Sequence, residues 1–351
     1  MKPAWLITGI LSAVFTIAVA QDTAPQEAPK SVGDPGEAKA RTAPVGPPAT
    51  TINLPPPPPD PNEFRVSSDV EMVLLDVSVK DHDGGFVSGL KMSDFTVLEN
   101  KTSQNLTVFQ AQDVPVTVGL VVDNSGSVRN KKPEIVTAAL TFVTNSNPND
   151  EVFVVNFNDR VMMGLPDDIP FSADSRLLRQ ALLLNPARGR TALYDALMTA
   201  LDHLEKGRLD KKTLVLISDG GDNMSQATKE ELLRRAEESL VTIYTVGIYD
   251  LNDRDRNPGF LKELARITGG ESYLPGESKE LVPTCEKIAH DIRNRYTLGY
   301  VPSNRDFDGK PRKLRVMAAA PNGKKYTVRT RTHYIAASSR SASTRSRENA
   351  K

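Results

Sequence analysis

The sequence predicts a doubly wound, mostly parallel, Rossmann-like α/β sheet joined to a smaller, sandwich-like all-β unit. Three observations carry this. From about Val116 onward, apolar runs such as "VTVGLVVD", "DEVFVVNF", "TLVLISD" and "VTIYTVGIYD" alternate with stretches of helical spacing. Unbroken apolar strands between amphipathic helices mark a parallel sheet covered on both faces. From Phe64 to about Gln112 the texture is period-two alternation rich in β-branched residues, with turn signals at "DHDGG" and "ENKT". Strand-like segments return after Asn294 as "YTLGYV", "RKLRVMAAA" and "KKYTVRTRTHYI".

In chain order, residues 1–20 read "MKPAWLITGILSAVFTIAVA". Lys2, an apolar run and a small-residue close at Ala18-Val19-Ala20 have the form of a secretory signal peptide cleaved after Ala20. The run is short for a bilayer span, and no Cys follows it to carry a lipid. No later segment is apolar for long enough to cross a membrane, so the mature protein is expected to be secreted or periplasmic, at the cell envelope. Residues 21–62 are rich in Pro, Ala, Thr, Gly and charge and end in "LPPPPPDPN". They cannot bury enough apolar surface to offset their ordering entropy and are expected to form a disordered linker, stiffened by Pro55 to Pro59. Residues 63–113 are the N-terminal β domain.

The α/β domain is expected over 115–294, about 180 residues, within the usual domain range. Its helices are "KPEIVTAALTFVTNS" with Pro133 near its start, "SADSRLLRQALLLN", "TALYDALMTALDHLEKG", "TKEELLRRAEESL", "NPGFLKELARITGG" and "SKELVPTCEKIAHDIRN". Short strands are expected at "VMMGL" and "ESYLP". Residues 295–336 supply further strands, and 337–351 form a solvated tail. Each β flank has too few strands to be stable alone. We therefore expect the two to pack as one small sandwich, with the α/β domain inserted between them. A hairpin is expected between "RKLRVMAAA" and "KKYTVRTRTHYI" across the turn "PNGK".

Composition excludes several functions. Lys+Arg and Asp+Glu balance at 44 each, so no global field draws the chain to nucleic acid. The single Cys285 allows no internal disulfide and reads as core filling. The four His residues are scattered, no nucleophile elbow surrounds Ser125, and no phosphate-binding glycine motif follows the first α/β strand.

In doubly wound sheets, ligands bind where the carboxyl ends of strands meet the following loops. Those ends carry Asp123, Ser125 and Ser127 in "VVDNSGS" and Asp219 in "LISDGGDN", while "NPARGRTALYDAL" puts Thr191 at a helix start. Taken singly, Ser125, Ser127 and Thr191 could be ordinary helix caps. Taken together, the five residues offer only hard oxygens, which suits Mg2+ or Ca2+ and disfavours Zn2+. Mg2+ takes about six oxygens, so five side chains leave a position open that could accept a partner's carboxylate. Asp222 and Asn223 could supply oxygens behind the ligands but read rather as a surface turn. The stretches "KKPE" and "RNKK" place positive charge beside the site that could steer an acidic partner, but read rather as solvated surface.

These residues resemble the von Willebrand factor type A family, whose metal-ion-dependent adhesion site is written D-x-S-x-S, then Thr, then Asp. The match is Asp123, Ser125, Ser127, Thr191 and Asp219, and the likeness covers about Val116 to Asn294. The segments before and after resemble the flanks of a bacterial, acidobacterial-type family related to it. The resemblance implies no enzymatic activity. It implies binding of a protein partner through a divalent cation, Mg2+ or else Ca2+ or Mn2+, with a partner Asp or Glu completing the metal shell. An envelope scaffold with a mainly structural metal is the alternative; an accessory subunit of a metal-loading or ATPase machine is a third, disfavoured by the signal peptide.

Overall fold

The computed structural model describes residues 72–248, 256–306, 308–319 and 326–336. The expected signal segment, linker, C-terminal tail and "PNGK" turn lie outside the described residues.

The first β flank contains β1 (Val73–Lys80), β2 (Phe95–Glu99), β3 (Thr102–Gln104) and β4 (Leu106–Gln110). The α/β part follows as β5 (Thr117–Asp123), α1 (Lys132–Thr144), β6 (Glu151–Phe157), β7 (Val161–Met163), α2 (Ser175–Leu183), α3 (Leu193–Leu204) and β8 (Lys212–Ser218). It continues through α4 (Lys229–Glu238), β9 (Thr242–Gly247), α5 (Pro258–Thr268), β10 (Ser272–Tyr273) and α6 (Leu281–Arg293). The last strands are β11 (Tyr296–Tyr300), β12 (Pro311–Ala318), β13 (Thr327–Arg329) and β14 (His333–Ile335).

The α/β sheet has the order β10-β9-β8-β5-β6-β7. All its pairings are parallel except that of the short edge strand β7 on β6. Every residue of β5, β6 and β9 is buried, as expected for a sheet covered on both faces. Since β5 lies between β6 and β8, the crevice at the carboxyl ends of β5 and β8 is where this topology opens a binding site.

The flanking strands form two four-stranded antiparallel sheets, β13-β1-β11-β4 and β14-β12-β2-β3. Strands from both ends of the chain interleave: β1 lies between β11 and β13, and β2 pairs with β12 from Leu314↔Glu99 to Ala318↔Phe95. One apolar cluster, including Leu75, Val77, Phe95, Val97, Tyr296 and Leu298, joins the sheets. The expected hairpin between "RKLRVMAAA" and "KKYTVRTRTHYI" is present in part. β12 runs antiparallel to β14, the end of the second segment, from Pro311↔Ile335 to Lys313↔His333, but β13, the start of that segment, does not pair with β12. β12 pairs with β2 and β14, while β13 joins β1 in the other sheet. In the order β14-β12-β2-β3, β2 takes the edge of β12 opposite β14, so the two pairings coexist.

A buried polar knot ties the β sheets to the α/β part. Arg295 is 4% exposed and donates to Tyr244 Oη (2.8 Å), Asp76 O (3.0 Å) and Gly269 O (2.7 Å). Asp291 at the end of α6 accepts from Ser78 Oγ (2.6 Å) and Tyr244 Oη (2.5 Å). Burial alone would raise the Asp291 carboxyl, but Arg295, Lys80 and the two hydroxyl donors hold it below the usual carboxylate range. Removing one member of such a knot leaves a buried charge uncompensated, at about 3–5 kcal/mol. Arg295→Met is therefore expected to lower unfolding stability in urea by about 3 kcal/mol or more and to weaken amide protection in β1. A midpoint within error of the parent would contradict this role.

Candidate metal centre

At the carboxyl end of β5, the chain turns through Asn124 and Ser125 into a 3-10 helix, Gly126–Lys131, that leads to α1. Asp123 stays behind, 0% exposed, and its carboxylate is held from two sides. Its Oδ1 accepts from the Ser125 amide (2.8 Å), and its Oδ2 from Ser218 Oγ at the end of β8 (2.7 Å). Ser125 Oγ lies 3.0 Å from Ser127 Oγ, which donates to Asp219 Oδ2 (2.6 Å). The other Asp219 oxygen accepts from the Gly221 amide (2.9 Å). Between them, Gly220 has φ +83, and an added Cβ would lie 2.6 Å from the Asn257 carbonyl, so only glycine fits that turn.

Thr191, 6% exposed, comes from the third loop. Its backbone, rather than its hydroxyl, is what the neighbouring loops grip. The amide donates to Asn223 Oδ1 (2.9 Å), and the carbonyl accepts from the Asn223 and Met224 amides (3.0 and 3.1 Å). Two residues earlier, Gly189 O accepts from the Gly126 amide (3.1 Å). The Thr191 loop is thus tied both to the β5 turn and to the loop after β8.

The structure joins Ser125, Ser127 and Asp219 in one string of oxygens, with Asp123 attached through the Ser125 amide. Capping does not explain these hydroxyls. Ser125 precedes the 3-10 helix but makes no side-chain cap bond, and Ala192, not Thr191, occupies the cap position of α3. Four of the five side chains are buried, while Ser127 is exposed, so the cluster opens to solvent on one side.

The electrostatics are those of two acids held close. Burial, then the neighbouring Asp219, push Asp123 up to about 7, against hydrogen bonds from Ser125 and Ser218. Lys132 at the start of α1 is pushed down to about 8 by burial, with Asp123 pulling the other way, and its Nζ bonds Asn124 Oδ1. Among the described residues no three His, Cys, Asp or Glu side chains gather as a metal-ligand group; this cluster draws three of its five donors from hydroxyls. An all-oxygen set fits Mg2+, Ca2+ or Mn2+ rather than a softer ion. Adjacent ligands around an octahedral Mg2+ at about 2.1 Å stand about 3 Å apart, close to the observed oxygen spacings.

The sequence pattern missed several supporting residues. Asp222 and Asn223 do more than form a surface turn. Asp222 Oδ1 accepts from the Leu193 and Tyr194 amides (2.8 and 3.2 Å) and from Ser225 Oγ (2.6 Å), so it caps α3 from another loop. Ser218, which orients Asp123, and the buried pair Asn124–Asn156 (2.9 Å) stand out only as polar residues in or next to otherwise apolar strands. Asn156 in turn donates to Ala181 O (2.8 Å), fixing the end of β6 against α2.

The class is thus a doubly wound α/β domain with an all-oxygen cluster at the switch point of its sheet. Residues 118–221 match the family described as von Willebrand factor type A domain, and the chain carries a domain of that family. Three solved structures are similar at low identity. An aerotolerance-related membrane protein from Bacteroides fragilis has 15% identity over 50% of this chain and 98% of its own, with a TM-score of 0.41. The von Willebrand factor domain of the type V pili tip protein Mfa5 from Porphyromonas gingivalis has 15% identity over 51% and 95%, with a TM-score of 0.43. A von Willebrand factor type A protein from Catenulispora acidiphila has 13% identity over 71% and 75%, with a TM-score of 0.44. Among the described residues of the present chain no helix is long and apolar enough to cross a membrane.

Asp222→Ala removes the acceptor of two α3 amides and is expected to lower unfolding stability by about 1–2 kcal/mol, as for lost helix caps. Urea denaturation checks this, and an unchanged midpoint would remove Asp222 from the support of the Thr191 loop.

Proposed function

We propose that this protein binds a protein partner through one divalent cation held by Asp123, Ser125, Ser127, Thr191 and Asp219. Mg2+ is the first choice, with Ca2+ and Mn2+ as alternatives, and an Asp or Glu of the partner completes the shell. The protein acts outside the cytoplasm, secreted or at the cell envelope, and catalyses no reaction. The observation that carries this reading is the string Ser125 Oγ, Ser127 Oγ and Asp219 Oδ2, with successive separations of 3.0 and 2.6 Å, beside buried Asp123.

Each residue then has a separate task. Ser125 and Ser127 offer neutral oxygens, which add ligands without adding negative charge. Asp219 presents its carboxylate from the neighbouring strand, and Asp123, oriented by Ser218 and the Ser125 amide, adds negative charge from beneath. Thr191 brings a third hydroxyl on a backbone fixed by Asn223 and Met224. When bound, the cation supplies the Lewis acidity that a carboxylate seeks. The open side at Ser127 gives that carboxylate its approach.

A structural role for the cation is the second reading, favoured by the burial of four of the five side chains. A pull-down from the envelope of the source cell separates the two. Capture in Mg2+ that is lost with chelator and with Asp123→Ala, while circular dichroism and thermal melting stay native, is the expected outcome. Unfolding of the variant or of the chelated protein would favour the structural role. Capture that survives both treatments would end the metal-bridging mechanism.

A further inference from the structure

Beside the oxygen cluster an open groove of about 990 Å³ runs between α1 and α2. Its floor and walls include Val136, Leu140 and Leu183, and its cations are Arg129, Lys132 and Arg179; no Asp or Glu lines it among the described residues. Leu183 is 54% exposed, an apolar side chain left without cover. Both walls lead directly into the oxygen site. Arg129 lies two residues after Ser127, and Ala187 lies four residues before Thr191. Arg129 Nε donates to Ala187 O (3.1 Å) across the end nearest the site.

We propose that this groove is the docking track for an acidic, leucine- or phenylalanine-bearing segment of the same partner whose carboxylate reaches the oxygen cluster. The inference rests on the binding function proposed above and supplies the chemistry of the partner. Charge complementarity and continuity with the site select this occupant. Lys132 is turned to Asn124 and Asp123. Arg129 and Arg179, however, stand around an apolar floor whose lining holds no acid, which favours a segment in which carboxylates flank an apolar side chain. A basic or purely apolar segment would leave the two guanidinium groups uncompensated. The 13 residues of α1 give a wall about 20 Å long, which takes about six residues of extended chain. The partner would present its metal-seeking Asp or Glu at one end and its Leu or Phe near Leu183.

The test uses the full chain with Mg2+ and fluorescein-labelled peptides of about eight residues. The peptides carry Glu at the first position and Leu or Phe in the middle, between further acids, and are read by fluorescence anisotropy. Matched peptides with Lys in place of the flanking acids, or Ser in place of the apolar residue, are the controls. Tighter binding of the acidic, apolar peptides is expected, with Arg179→Glu and Leu183→Asp each weakening it about tenfold or more. Both side chains are exposed, and circular dichroism checks that the variants fold. Chelator should weaken binding further in parent and variants alike. If chelator has no effect while the groove variants still weaken binding, the metal reading fails and the groove stands. Equal binding of acidic and Lys-substituted peptides, or of parent and variants, would overturn the groove inference and leave the metal reading intact. So would sedimentation showing a dimer of the parent that Leu183→Asp dissociates, because the groove would then join two copies of this chain.

Discussion

Two carboxylates, Asp123 and Asp219, are buried at neighbouring strand ends, 0% and 2% exposed, and the rest of the site is arranged around that unfavourable pairing. Burial and mutual repulsion both oppose ionisation there, which is why Asp123 is pushed up to about 7. The chain answers with donors: Ser218 and the Ser125 amide on Asp123, Ser127 and the Gly221 amide on Asp219. These hydrogen bonds orient the acids without neutralising them. A divalent cation among the same oxygens would supply the missing charge.

The sheet makes this arrangement possible. Parallel pairing of β5 with both β6 and β8 brings the two acid-bearing strand ends side by side and sends their loops out at one edge. The third loop is fixed by sewing rather than by a strand. Asp222, Asn223 and Met224 hold the residues around Thr191, and Gly126 holds Gly189. At the far end of the domain, Arg295, Asp291 and Tyr244 lock α6 and β9 to β1 of the antiparallel sheets. The α/β part is thus anchored below and left open above, where the exposed Ser127 and the α1–α2 groove share one rim.

Much of this was legible in the sequence because it is local. The unbroken apolar runs of β5, β6, β8 and β9 reported a buried parallel sheet, and the "DNSGS" turn reported a concentration of oxygens at a strand end. Long-range pairing was not legible in the same way. The "PNGK" turn signalled a hairpin that forms only between β12 and β14, while no local pattern announced that β13 would join β1 or that Leu314 of β12 would stand opposite Glu99 of β2. The task of Asp222 was hidden for a related reason: as a cap it serves the start of α3, a helix about 30 residues earlier in sequence, so no local capping pattern contains it.

The most direct test of the central claim is calorimetric titration of Mn2+ or Mg2+ into chelator-stripped full chain, beside Asp123→Ala and Asp219→Asn. One saturable site in the parent, lost in both variants while they remain folded, is the predicted result. No binding heat in the parent, or the same isotherm in all three proteins, would contradict the account and leave the oxygen cluster as a purely hydrogen-bonded brace between two strand ends.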